Sequence, residues 1–159
     1  MAVPKRLHEA VGQWNGKSQL HLPFLPPEKR VTESASRLHI ETGAHDAFAT
    51  ITYTWETEGE RQEGTMLVCM APESETGKTK AVQIGWVDSW HQNSAVMHLV
   101  GHESETGAVK AKGAFTAGGE TWGWTIAFDL TGDELALTME NLTPSGEAEW
   151  AVRATYRRD

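Results

Sequence analysis

From residue 12 onward, apolar or small side chains alternate with polar ones. Trp14, Gly16, Ser18, Leu20 and Leu22 fall on one parity and Asn15, Lys17, Gln19 and His21 on the other, the period of two that a half-buried strand shows. Pro23, Pro26 and Pro27 then forbid both a helix and a ladder, so residues 23–29 read as a stiff exposed loop. Nine further runs follow, at roughly 30–40, 48–57, 62–70, 80–88, 95–103, 108–115, 122–130, 135–142 and 148–158, most divided by Gly-bearing turns. Upstream, Pro4 to Val11 suits a short helix with Pro at its first position and Gly12 as its stop. The pattern predicts an all-β chain: an antiparallel up-and-down β-barrel of about ten strands with a short N-terminal helix, residues 1–159 forming one domain.

In such a barrel alternate turns lie at opposite ends. The turns at Glu41–Asp46, Ser74–Gly77, Ser104–Gly107 and Thr131–Glu134 would share one end with Trp14, which makes the floor. The loop at Pro23–Lys29 would share the other with Glu58–Arg61, Trp90–Ser94, Thr116–Glu120 and Thr143–Gly146. Trp55, Trp90, Trp122 and Trp150 then gather near that second mouth. Alternation gives three inward sets near it: Ile51, Tyr53 and Trp55; Trp86, Asp88 and Trp90; Trp122, Trp124 and Ile126. A single bulge would flip any of them.

Composition narrows the chemistry. The net charge is −8, with 22 acids against 14 Lys and Arg, so a polyanion partner is disfavoured and no nucleic acid is expected. The single cysteine, Cys69, sits in an apolar run and reads as a buried hydrophobe. The first residues carry no apolar signal segment, and no run approaches the ~20 residues of a membrane span. A cytoplasmic protein with no membrane partner is expected. Seven Trp is the abnormal count; indoles combine large contact area with a polar N–H and suit pockets and interfaces.

Asp88 is the residue with most chemical interest. Among indoles a carboxylate would be desolvated and its pKa raised, unless a Trp N–H or an Arg holds it. It would then be a ligand anchor or a general acid/base; the plainer alternative is a side chain bonded to turn amides beside Ser89. Ser89 and His91 alternate to the opposite face, so Asp88, Ser89 and His91 make no local nucleophilic triad. His98 and His102 share a face about 13 Å apart at ~3.3 Å per residue. His91 would approach His98, with Asp88, only across a tight hairpin; no zinc-like spacing is present and no metal is expected.

Taken together, Gly12-x-Trp14 near the N-terminus, an Arg in the last strand and a serial β-barrel resemble the calycins, which include lipocalins and fatty-acid-binding proteins. That resemblance implies that Gly12, Trp14 and a late Arg, Arg157 or Arg158 and here assigned as Arg157, close one end, with the Arg packed across the indole. Trp86-Val87-Asp88-Ser89 followed by Trp90-His91, with the Tyr156-Arg157 ending, is similar to an uncharacterised bacterial lipocalin-like family with a mid-chain W-x-D-S. Gly12-x-Trp14-x-Gly16 also resembles the opening of nitrobindin, a haem-binding barrel. Residues 148–159 contain no His, so the axial ligand of that family is missing and no cofactor, haem included, is expected.

The leading functional expectation is a small apolar or aromatic molecule bound in the barrel cavity, since barrel mouths are common pocket sites. The ligand-binding candidates are Tyr53, Trp55, Trp86, Asp88, Trp90, His91, Trp122 and Trp124. The alternatives are an enzyme of isomerase or cyclase type, with proton transfer by Asp88 and His91 in the same cavity, and a module that forms a homodimer through Trp-bearing outer faces.

Overall fold

The structure, a computed structural model, describes residues 3–71 and 80–159. A short helix α1 (Lys5–Glu9) precedes ten strands: β1 (Gly12–His21), β2 (Val31–Gly43), β3 (Phe48–Thr57), β4 (Glu60–Met70), β5 (Lys80–Asp88), β6 (Met97–Glu103), β7 (Val109–Ala117), β8 (Glu120–Thr131), β9 (Glu134–Leu142) and β10 (Ala148–Arg158). A single 3-10 turn at Pro27–Lys29 follows the prolines. Each strand pairs antiparallel with its neighbours in sequence, and β10 closes onto β1. Closure leaves no unpaired sheet edge. The expected fold class is therefore the observed one, and the turns fall at the two ends as alternation requires; the turn at Ser74–Gly77 lies outside the described residues. Among the described residues no helix is long and apolar enough to cross a membrane.

Alternation sets the core. On β5, Val82, Ile84 and Trp86 are buried, while Val87 between Trp86 and Asp88 is exposed on the outer wall. Gly16 marks where β1 and β10 approach too closely for any side chain: a Cβ there would lie 1.8 Å from the Thr155 carbonyl oxygen. Glycine at a tight corner of a barrel has this use.

One end is sealed. Trp14 is 1% exposed, and its Nε1–H donates to the Ala10 carbonyl at 2.7 Å. Leu7 and Ala10 of the α1 segment are fully buried. The arginine over the indole is Arg158, its guanidinium carbon 4.6 Å from the ring centroid. Its Nη1–H donates to the Val11 carbonyl at 2.7 Å and its Nη2–H to that of Glu9. This corrects the assignment of Arg157 to the closure. Arg157 pairs in register with Asn15 and Arg158 with Trp14, so Arg157 faces outward, where it meets Glu134 at 3.6 Å.

Candidate functional site

The opposite end carries the chemistry. Tyr53 on β3, Gly64 on β4 and Asp88 on β5 form one cross-strand row on the inner face. Gly64 leaves Tyr53 its room, since a Cβ there would lie 2.1 Å from the phenol Cζ. The Tyr53 hydroxyl accepts from Trp86 Nε1–H at 2.9 Å. Burial first, and the Asp88 carboxylate second, push the Tyr53 pKa well above its ordinary value.

β5 ends at Asp88, and the chain turns back on that carboxylate. Oδ1 accepts the backbone N–H groups of Trp90 at 3.0 Å and of Gln92 at 2.7 Å, a side-chain-to-backbone turn typical of Asp. Ser89 pins the turn to β4: its Oγ donates to Gln62 Oε1 at 2.7 Å and accepts from Glu63 N–H at 2.9 Å. W-x-D-S is thus the end of a strand, an inward indole, a turn-forming carboxylate and a clasp to the neighbouring strand.

The turn also ends the alternation, and this corrects the expected placement of His91 on the opposite face. His91 folds inward, its Nδ1 3.2 Å from Asp88 Oδ2, with Asp88 1% and His91 12% exposed at the side chain. Facing a carboxylate, Nδ1 is the protonated nitrogen and a neutral imidazole leaves Nε2 as an acceptor. Burial pushes the Asp88 pKa up, but the His91 bond, the Gln92 and Trp90 amides and the His91 charge outweigh it, and the carboxyl lies below its ordinary value. The raised carboxyl expected for an unaided Asp88 is therefore absent because donors hold it. Ser89 points to β4, so no triad forms.

Indoles surround His91. Ring centroids of Trp90, Trp124, Trp55 and Trp86 lie 4.7, 5.2, 5.8 and 6.3 Å from the imidazole, and Trp86 stacks on Trp124 at 5.4 Å. Seven of the eight candidate ligand-binding residues are thus brought together: Tyr53, Trp55, Trp86, Asp88, Trp90, His91 and Trp124. Trp122 is not among them. It sits two residues nearer the rim of β8, opposite Phe115 in register, and stacks on that ring at 6.3 Å. Trp150 leaves the inner face as well, because a bulge after it shifts the β10 register. On the outer wall it lies between His21, stacked at 4.4 Å, and the Arg153 guanidinium at 4.2 Å.

Two spaces meet at His91. Inside, Tyr53, Trp55, Asp88, Ser18, Tyr156 and neighbours enclose about 10 Å³, room for roughly one water. Outside, a groove of about 220 Å³ runs between the His21–Phe24 segment, Trp90, Trp124, Asn141, Glu149 and Trp150. Two of the residues that line this groove each carry a polar atom buried beneath its surface without a hydrogen-bond partner, Trp124 Nε1 and Asn141 Oδ1. The sequence reading missed Asn141 and Glu149. Asn141 had a signal, as the polar residue that continues the inward set Leu135, Leu137 and Met139; Glu149 had none, since the bulge sets its direction.

His98 bonds Gln83 on the outer wall at 3.0 Å, across the wall from His91. Among the described residues no group of three or more His, Cys, Asp or Glu is placed to hold a metal ion.

No curated protein matches the chain. A family model matches residues 3–158, the whole barrel with its helix and the W-x-D-S turn, so the chain belongs to the family described as Protein of unknown function (DUF1579).

Proposed function

We propose that this protein binds a small apolar or aromatic molecule at the mouth of its barrel, over His91 and Trp124, rather than deep in the lumen. One observation carries the reading. The enclosed cavity among Tyr53, Trp55, Asp88 and His91 holds only about 10 Å³, whereas an aromatic-walled groove of about 220 Å³ opens at the end where the indoles converge. That volume is below the ~300–1,000 Å³ of sites for drug-sized ligands, so the ligand is fragment-sized. The sealed floor of Trp14 under Arg158 supports a calycin-like reading with a single open end. Haem fits poorly, because the enclosed cavity that His91 lines holds only about 10 Å³.

The test is a tryptophan-fluorescence titration against bicyclic aromatics and saturated fatty acids, on wild type and Trp90→Ala. Bicyclic aromatics quench the wild type, and Trp90→Ala weakens them about tenfold. Stoichiometric binding of a long fatty acid with silence from the aromatics would mean that the lumen opens, and would overturn the reading.

The Asp88–His91 pair at 3.2 Å favours a second reading, proton transfer on a molecule in the same groove by His91 Nε2. Asp88 would then hold the tautomer and steady the imidazolium. It requires Asp88→Asn to abolish turnover of a bound carbonyl compound while leaving its affinity unchanged.

A further inference from the structure

The mouth groove carries a carboxylate with no counter-charge. Glu149 lines the groove because the β10 bulge falls after Trp150, which puts Glu149 rather than Trp150 on the inward parity. Its neighbours along the wall are paired, Glu140 with Lys110 at 3.3 Å and Glu134 with Arg157 at 3.6 Å. Glu149 is half-buried and has no such partner among the described residues. The cations nearby are engaged elsewhere. Arg153 lies over Trp150 at 4.2 Å, and Arg30 Nε–H donates to the Leu25 carbonyl at 2.7 Å. Of the two imidazoles on the groove, His21 is bonded through Nδ1 to the Trp150 carbonyl at 2.7 Å and His91 through Nδ1 to Asp88 at 3.2 Å.

Open aromatic surface lies beside that carboxylate. Phe24 lines the groove and is 77% exposed, yet it does not hang loose. It sits in a turn closed by Leu25 N–H on the Leu22 carbonyl at 3.1 Å, with Pro23 before it, and the turn is tied at its base by Leu22 N–H on the Arg30 carbonyl at 2.8 Å. A proline in the second position presets such a turn, so the phenyl is presented at little further entropic cost. Trp90 also lines the groove, half-buried, and crosses Trp55 and His91 at 77° and 75° without stacking on either. Trp150 is not counted, since His21 and Arg153 already engage its ring. Any occupant of the groove takes water from Glu149, and a neutral one gives nothing back for it. An acid would add a like charge. Aromatic faces carry negative potential and attract a cation, so the carboxylate and the rings ask for the same sign.

We propose that the groove selects an organic cation: a small aromatic or apolar body carrying an amine that is protonated at neutral pH. The ammonium sits against Glu149, and the body lies against Trp90 and Phe24. This rests on the mouth groove being the binding site.

The test is calorimetric titration near neutral pH with three ligands built on one ring, 1-naphthylmethylamine, 1-naphthylmethanol and 1-naphthoate. It is run on wild type, Glu149→Gln and Glu147→Gln. The amine binds wild type at least about tenfold more tightly than the alcohol, and the acid binds most weakly. Glu149→Gln brings amine and alcohol to within about threefold and leaves the alcohol unchanged, which also shows that the variant is folded. Glu147→Gln removes the same charge from an exposed position in the turn before β10 and keeps the wild-type gap. Equal binding of amine and alcohol by wild type overturns the proposal and leaves an apolar groove standing. A preference for the amine that survives Glu149→Gln overturns it too, because the net charge of −8 is then its source. Silence from all three overturns the groove itself as a ligand site.

Discussion

The chain has two tyrosines, Tyr53 and Tyr156, and both phenols are held inside the wall. Burial raises Tyr156 to about 12, against a smaller opposing effect of its bond to Ser36, and Tyr53 lies well above its ordinary value. A phenol that the fold keeps neutral contributes stability that is whole below its unfolded pKa of about 10 and is lost as pH climbs toward the folded value. For Tyr156 that window runs from about 10 to about 12, worth roughly 3 kcal/mol. A spectrophotometric titration should therefore show no tyrosinate at pH 10. Both phenols should ionise together at higher pH, in step with the shift of tryptophan emission that marks unfolding. Tyrosinate appearing near pH 10 with the emission unchanged would mean that at least one phenol is open to solvent. At this scale alternation alone decides which arginine reaches the floor. Tyr156 is inward, so the residue two further on, Arg158, is inward too, and Arg157 is the wrong parity to reach Trp14.

Among the elements, the hairpins were legible because period-two patterning and Gly-bearing turns act locally and agree. All ten strands lie within a few residues of the runs that the sequence marks. What could not be read were the two places where one residue breaks the period. Asp88 captures the amides of Trp90 and Gln92, which ends β5 and swings His91 inward. The β10 bulge turns Trp150 out and Glu149 in. Neither event changes composition, and both depend on contacts with strands distant in sequence; both also fall at the proposed site, where such departures concentrate. The strand crossing at Gly16 is a separate matter, since it belongs to closure. A methyl group there would have to displace the Thr155 backbone, not a flexible side chain. Gly16→Ala is expected to cost at least about 3 kcal/mol or to prevent folding, the range of overpacking against fixed atoms. Denaturant unfolding checks it, and a loss below about 1 kcal/mol would mean that β1 and β10 are spaced more widely.

Over the whole molecule, closing the sheet places access to the lumen at the two ends, and these are built differently. The mouth is walled by side chains from several strands and the loops between them. The floor is a single indole covered by α1 and held by one guanidinium, so α1 should stay docked only while Arg158 ties the Glu9 and Val11 carbonyls to the last strand. Arg158→Ala removes the cation–π contact and both of those bonds, and is expected to cost about 1–2 kcal/mol. The loss should be local first. The amides of His8 and Ala10, which donate to the Pro4 and Arg6 carbonyls, should exchange with solvent about tenfold faster, while amides of β8 and β9 keep their protection. Arg157→Ala, which loses an exposed pair with Glu134, should stay within about 0.5 kcal/mol of wild type and leave α1 protected. Ligand binding at the mouth should be unchanged in both variants, because Trp14 and the His91 cluster lie at opposite ends of the barrel. If the two arginine variants behave alike, the guanidinium over Trp14 is a surface ornament and the floor is held by the burial of Leu7, Ala10 and Trp14 alone.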